Sequence, residues 1–187
     1  MDTALALVRH GQTDWNLAGR MQGRTDIALN ATGREQAREA GRQLLDDGWE
    51  LVLASPLSRA QETAELIAAE LDIETGAPVA DAIERSFGPF EGRVRAELTE
   101  EEVAAHAAES ESREAVLHRM LRTLSDIVEV NPGRRILVVS HGAAMRITRD
   151  ALAGRRIERG IYNGELLKIE LSRLAQLTQE LGLATAR

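Results

Sequence analysis

Four apolar runs punctuate the chain, each closed by a polar residue, a proline or a turn. They are "ALALV" (4–8), ending at Arg9, "ELVLASP" (50–56), "RRILVVS" (134–140) and "ELLKIEL" (165–171), the last after an Asn163-Gly164 turn. Short runs without strict alternation predict strands buried on both faces. "APVADAI" (77–83) reads as a further short strand, followed by the Gly- and Pro-punctuated "ERSFGPFEG" (84–92). Between these runs the pattern shifts to helical spacing. "TGREQAREAGRQLLDD" (32–47) opens with Thr32 and Glu35 in capping-box spacing, and "SRAQETAELIAAEL" (58–71) opens with Ser58 and Gln61. Residues 95–130 read as helix interrupted by the acidic "ESES" near 110, and "GAAMRITRDALAG" (142–154) as helix stopping at Gly154. Residues 13–30 predict loop with a short helix around Trp15; the tail after 171 carries no clear pattern.

Strands alternating with helices predict an α/β fold with a mainly parallel sheet covered on both faces. Ligands of such folds collect outside the carboxyl ends of the strands. Three segments fall there: Arg9-His10-Gly11, Ser55-Pro56 leading to Arg59, and Ser140-His141-Gly142. One rim thus carries two histidines and two arginines.

The composition narrows the field. At 187 residues, 43% hydrophobic and 28% charged, the chain suits one globular domain over 1–187. It has no cysteine, so thiolate nucleophiles, thiolate metal sites and disulfides are excluded. No long apolar run or signal-peptide pattern is present, which predicts a soluble cytoplasmic protein without a membrane partner. A net charge of −7 argues against nucleic acid as a partner. Lys168 is the one lysine and all other basic residues are arginine, so an arginine beside a histidine is a weak signal alone.

The chemistry of the rim is that of an anion site. Arginine forks match phosphate or carboxylate bidentately, Gly11 and Gly142 allow close backbone approach, and the helix after Gly142 aims its amide end there. Neutral imidazole is also a nucleophile, and neighbouring arginines help to keep it neutral. Attack by His10 on phosphorus would split a very slow hydrolysis into two steps, with Arg9, Arg59 and His141 meeting the developing charge. Glu84, at the start of the loop after the third predicted strand, is placed to supply the proton for the leaving group; Glu91, seven residues on, is the alternative. A metal site built from His10, His141 and a carboxylate lacks short ligand spacing, and the arginines would repel a cation. The expectation is no metal and no cofactor. His106 and His118 read as surface residues of the helical region.

"LVRHGQTDWN", "SPLSRAQETA", "ERSFGPFEG" and "VVSHGAAMR" together resemble, in order, the signature blocks of the histidine phosphatase superfamily, in its phosphoglycerate-mutase-like branch. The resemblance implies a three-layer α/β/α sandwich with one antiparallel strand in the sheet. It implies His10 as the phosphorylated nucleophile, Arg9 and Arg59 as phosphate ligands, His141 as the second histidine and Glu84 as proton donor. Asn16 and Gln22 match positions that line the phosphate pocket. The activity implied is a metal-independent phosphomonoesterase, a histidine-acid-phosphatase-type hydrolase acting on a small phosphorylated metabolite. A phosphoglycerate mutase, a protein-phosphohistidine phosphatase and a non-catalytic phosphate-ester binder are the alternatives. A helical lid at about 93–113, densely acidic after Arg95, is expected to repel a bisphosphorylated compound and so disfavours the mutase. A homodimer remains open.

Overall fold

The computed structural model describes residues 2–183. In chain order the elements are β1 (Ala4–Arg9), α1 (Asp14–Leu17), α2 (Ala31–Gln43), β2 (Leu51–Ala54), α3 (Ser58–Leu71), β3 (Glu74–Thr75), α4 (Glu100–Ala105), α5 (Arg113–Val130), β4 (Arg135–Ser140), α6 (Gly142–Leu152), β5 (Leu166–Ile169) and α7 (Leu171–Glu180). The strands form one sheet in the order β3-β2-β4-β1-β5. β1, β2, β3 and β4 run parallel, and β5 runs antiparallel along β1. The expected mainly parallel sheet with one antiparallel strand is what the chain builds.

Alternation along the strands divides the core. Ala6, Val8, Val52, Ala54, Leu137 and Val139 face one way, onto Ala40 and Leu44 of the α2 region and Ala64 and Ile67 of α3. Leu5, Leu7, Leu53, Ile136 and Val138 face the other way, onto Met120 and Leu124 of α5, Met145 of α6 and Leu174 of α7. Helices therefore cover both faces in three layers, and each fully buried aliphatic side chain contributes about 1.5–3 kcal/mol.

Several local expectations are corrected. Residues 77–83 form no strand. Pro78 has no N–H to give, and the segment makes a single ladder-like bond, Val79 N to Ala54 O, before a 3-10 turn at Ala80–Ala82. The strand beside β2 is instead the two-residue β3. Asn30 caps α2, accepting from Gly33 N at 2.8 Å, so Thr32 and Glu35 lie inside the helix and form no capping box. At α3 the cap position is Leu57. Ser58 is turned to Asp26 (2.8 Å), and Gln61 donates back to Ser55 O (2.7 Å). Loop-to-loop anchoring outcompetes the cap here. Where the sequence carried no clear pattern, Leu171–Glu180 form α7, which buries Leu174 and Leu177.

Residues 95–130 are helical with breaks. Two 3-10 turns flank α4, and Ser112 caps α5 by accepting from Ala115 N at 3.0 Å. Glu102 completes a capping box with Thr99 and pairs with Arg93 at 3.2 Å, whereas Glu111 reaches Ser86 N and Arg24.

Candidate active site

Parallel pairing aligns the ends of β1 and β4, with Arg9 opposite Ser140 and Ala54 of β2 opposite Val139. His10 therefore leaves the sheet beside His141, and the ring centroids lie 5.1 Å apart. His10 is 2% exposed. Its Nδ1 lies 2.6 Å from Gly11 O. A carbonyl only accepts, so that contact assigns the hydrogen to Nδ1 and leaves Nε2 with its lone pair. The backbone around it is pinned at His10 N, which donates to Ser140 O (3.0 Å), at Gly11 N and at His10 O. Gly11 N donates to Thr63 Oγ1 (3.0 Å), Thr63 Oγ1 donates to Arg59 O (2.7 Å), and Asn163 Nδ2 donates to His10 O (2.9 Å).

His141 is fully buried, its Nε2 2.7 Å from Ser55 Oγ. Burial pushes both imidazoles well below the ordinary histidine range. For His10 the charges of Arg59 and Arg9 add to that, and for His141 the neighbouring His10 and the same arginines do. Both rings are neutral at neutral pH.

Arg59, also fully buried, is clamped by Thr25 O and Gly23 O, each at 2.8 Å, and Arg9 Nη1 donates to Ile161 O at 2.6 Å. What remains is informative: Arg9 Nε, Arg59 Nε and His141 Nδ1 are buried with no hydrogen-bond partner. Unpaired buried donors on two cations are costly, and an anion among them relieves that cost.

The two glycines of the rim differ in use. A Cβ on Gly11 would lie 2.2 Å from Gly33 O, so its bare backbone admits α2 rather than a ligand. A Cβ on Gly142 would stand 3.2 Å from Arg9 Nε, so this glycine makes room for the arginine, and its bare backbone also lines the cavity.

The amide end of α6 is likewise not open to a ligand in the way its position suggested. Ala143 N and Ala144 N donate to Glu84 at 3.0 and 2.9 Å, and Arg85 N donates to the same carboxylate at 2.8 Å. Three of its roughly four lone-pair sites are taken, leaving one on Oε2. Glu91 is elsewhere engaged. It accepts from Arg24 N, Thr25 N, Thr25 Oγ1 and Phe87 N, which holds its carboxyl below the usual range against the opposing effect of burial. It ties two loops together, and Glu84 is the carboxylate that faces the cavity.

That cavity, of about 270 Å³, is lined by Arg9, His10, Asn16, Gln22, Arg59, Glu84 and Gly142, among others. Asn16 Oδ1 accepts from Thr13 N and Asn163 Nδ2, and Gln22 Oε1 accepts from Thr13 Oγ1. Their carbonyl ends are thus occupied and their amide nitrogens left as donors. All the residues expected at the site meet there or, for His141, directly behind it. His106 and His118 stay outside, beside Glu109 and Glu114. Sequence reasoning missed Thr63, Ser55 and Asn163 as supports, and Arg146 as cavity lining. Thr63 was findable, one helical turn beyond Arg59; Asn163 had only a turn to mark it.

Comparison with known proteins is consistent with this geometry. The model of the histidine phosphatase superfamily (branch 1) matches residues 5–179. The uncharacterized phosphatase PhoE of Bacillus subtilis (strain 168) is 39% identical over 152 residues, covering 81% of this chain and 78% of that protein. A metal-independent phosphoserine phosphatase of Arabidopsis thaliana is 32% identical over 177 residues, covering 85% and 74%. Among solved structures, the mycobacterial glucosyl-3-phosphoglycerate phosphatase complexed with VO3 superposes with a TM-score of 0.78 at 26% identity, covering 89% of this chain and 92% of that one.

Proposed function

The chain belongs to the histidine phosphatase superfamily, and from that premise we propose that it is a metal-independent phosphomonoesterase working through a phosphohistidine on His10. The observation that carries this reading is the set of buried, unpartnered donors, Arg9 Nε, Arg59 Nε and His141 Nδ1, around a neutral histidine.

In the proposed reaction the phosphoryl group lies among these donors and the amide nitrogens of Asn16 and Gln22. His10 Nε2 attacks phosphorus and the bond to the ester oxygen breaks. Glu84, protonated at the open site on Oε2, gives its proton to that oxygen, and the alcohol leaves. Water then attacks the phosphohistidine, Glu84 takes a proton from it, and the P–N bond breaks to release phosphate and neutral His10. The arginines meet charge on the equatorial oxygens throughout, and their positive field is hostile to a metal cation.

A small substrate fits better than a phosphoprotein, because the cavity is bounded by Phe87 and Arg95 as well as by the sheet rim.

The test is hydrolysis of 4-nitrophenyl phosphate in excess chelator, with acid-quench trapping of a radiolabelled phosphoenzyme. Activity should persist and the label should map to His10. Loss of activity on chelation, or His10→Ala within about tenfold of the wild type, would overturn the mechanism.

A further inference from the structure

Glu84 stands in residues 84–87, which have no regular secondary structure, and its flanking backbone is tied to one ion pair near the start of α5. On the amino side, Arg119 Nη1 donates to Asp81 O and Ile83 O, each at 2.6 Å. On the carboxyl side, Glu111 Oε2 accepts from Ser86 N at 3.2 Å, and Glu111 N donates to Ser86 O at 2.9 Å. The two residues are joined twice, Arg119 Nε to Glu111 Oε1 at 2.8 Å and Nη2 to Oε2 at 3.1 Å. Their side chains are only 11% and 14% exposed, so water does little to weaken or replace these bonds. Four of the five N–H donors of Arg119 are used in this way, an arrangement that needs the planar fork of arginine. Arg24 adds a contact to each partner, Nη2 to Glu111 Oε1 at 3.3 Å and Nε to Glu84 O at 3.5 Å. The amides of Ala143 and Ala144 hold the far end of the Glu84 side chain, but the backbone on either side sets where its Cα stands. A proton donor acts only within hydrogen-bond reach of the leaving oxygen, and a misplacement of about 1 Å costs as much as 10²-fold.

We propose that Arg119 and Glu111 are positioning residues for Glu84: their buried pair grips the backbone on both sides of the donor and so fixes its open oxygen against the leaving group. The donor role of Glu84 rests on the function proposed above; the grip on its backbone does not. Neither Arg119 nor Glu111 lines the catalytic cavity, so the pair acts through Glu84 and not on the substrate.

The test joins kcat/KM across a series of leaving groups to backbone NMR of the full chain. Arg119→Met should lower kcat/KM for alkyl phosphates by about tenfold, and for 4-nitrophenyl phosphate, whose leaving group needs no proton, by no more than about twofold. The amide protons of Ala143 and Ala144, which donate to the Glu84 carboxylate, should move toward their positions in Glu84→Ala. Arg119→Lys keeps the charge without the fork and should show the same selective loss in smaller measure. Where the buried carboxylate left behind prevents Arg119→Met from folding, Arg119→Met/Glu111→Gln removes both charges and carries the same expectation. Unmoved amide protons in a folded variant overturn the proposal. Glu84→Gln in the same series separates it from the reading on which it rests. If Glu84→Gln discriminates between leaving groups, a loss in Arg119→Met that is equal for all of them also overturns the positioning role. If Glu84→Gln does not discriminate, the donor role falls, and the amide protons alone decide whether the pair positions Glu84.

Discussion

The Ser55 hydroxyl stands 2.7 Å from Nε2 of His141, joining the chain just past β2 to the chain just past β4. With Ser55 donating, His141 carries its hydrogen on Nδ1, the buried atom without a partner. In the proposed mechanism Ser55 is thus a positioning residue for the His141 donor.

Ser55→Ala should therefore lower kcat/KM for an aryl phosphate by about tenfold and weaken vanadate inhibition in parallel. It should also cost about 1–3 kcal/mol of stability, because Nε2 is left buried and unpaired. A variant destabilised to that extent but kinetically normal would show that the hydrogen bond supports the fold alone.

Glu84 and Glu91 separate by leaving group. Glu84→Gln should slow alkyl phosphates by about 10²–10⁴, while 4-nitrophenyl phosphate, whose leaving group needs no proton, loses far less. Glu91→Gln should reduce stability, through its four hydrogen bonds to loop groups, without altering that ratio. Rates measured across a series of leaving-group pKa values check both.

The two buried imidazoles tie stability to pH. Their folded-state pKa values are depressed, by burial first and by the arginines after. Above about pH 6.5 the rings are neutral in both folded and unfolded chains. Below it the unfolded chain binds protons that the folded one refuses, so stability should fall with pH, by up to about 1.4 kcal/mol per pH unit for each ring, until the folded-state values are reached. Urea denaturation between pH 5 and 8 should show the slope roughly halved in His141→Gln.

Gly11→Ala should be strongly destabilising, since its Cβ would lie 2.2 Å from a backbone oxygen that cannot swing aside. A cost of about 1–3 kcal/mol or more is expected from such overpacking. Gly160→Ala, with nothing within 4 Å, should leave the urea midpoint nearly unchanged.

The buried strands and the three rim segments were legible because burial on both faces and strand-end chemistry are written locally. "LVRHGQT" and "VVSHGAAMR" announce both a strand and what stands at its end. What misled was the use of individual groups. Thr32 and Ser58 look like caps, but Asn30 takes one cap and Asp26 draws Ser58 away. Gly11 looks like a ligand-approach glycine, but it serves α2. The helix end at Gly142 looks open until Glu84, far away in sequence, occupies it. Apart from the α2 cap, where a nearer residue wins, each miss is a long-range partner outcompeting a local pattern.

The sheet order has a consequence for how the molecule comes into being. β1 leads directly into His10, yet its two neighbours are β4 and β5, drawn from residues 135–169. During translation the first strand to emerge is the last to find its neighbours, and it waits through most of synthesis with its edges bare. Arrested nascent chains should acquire vanadate binding only once β5 has cleared the ribosome. An amino-terminal fragment ending before Arg135 would carry His10 and still have no pocket to put it in.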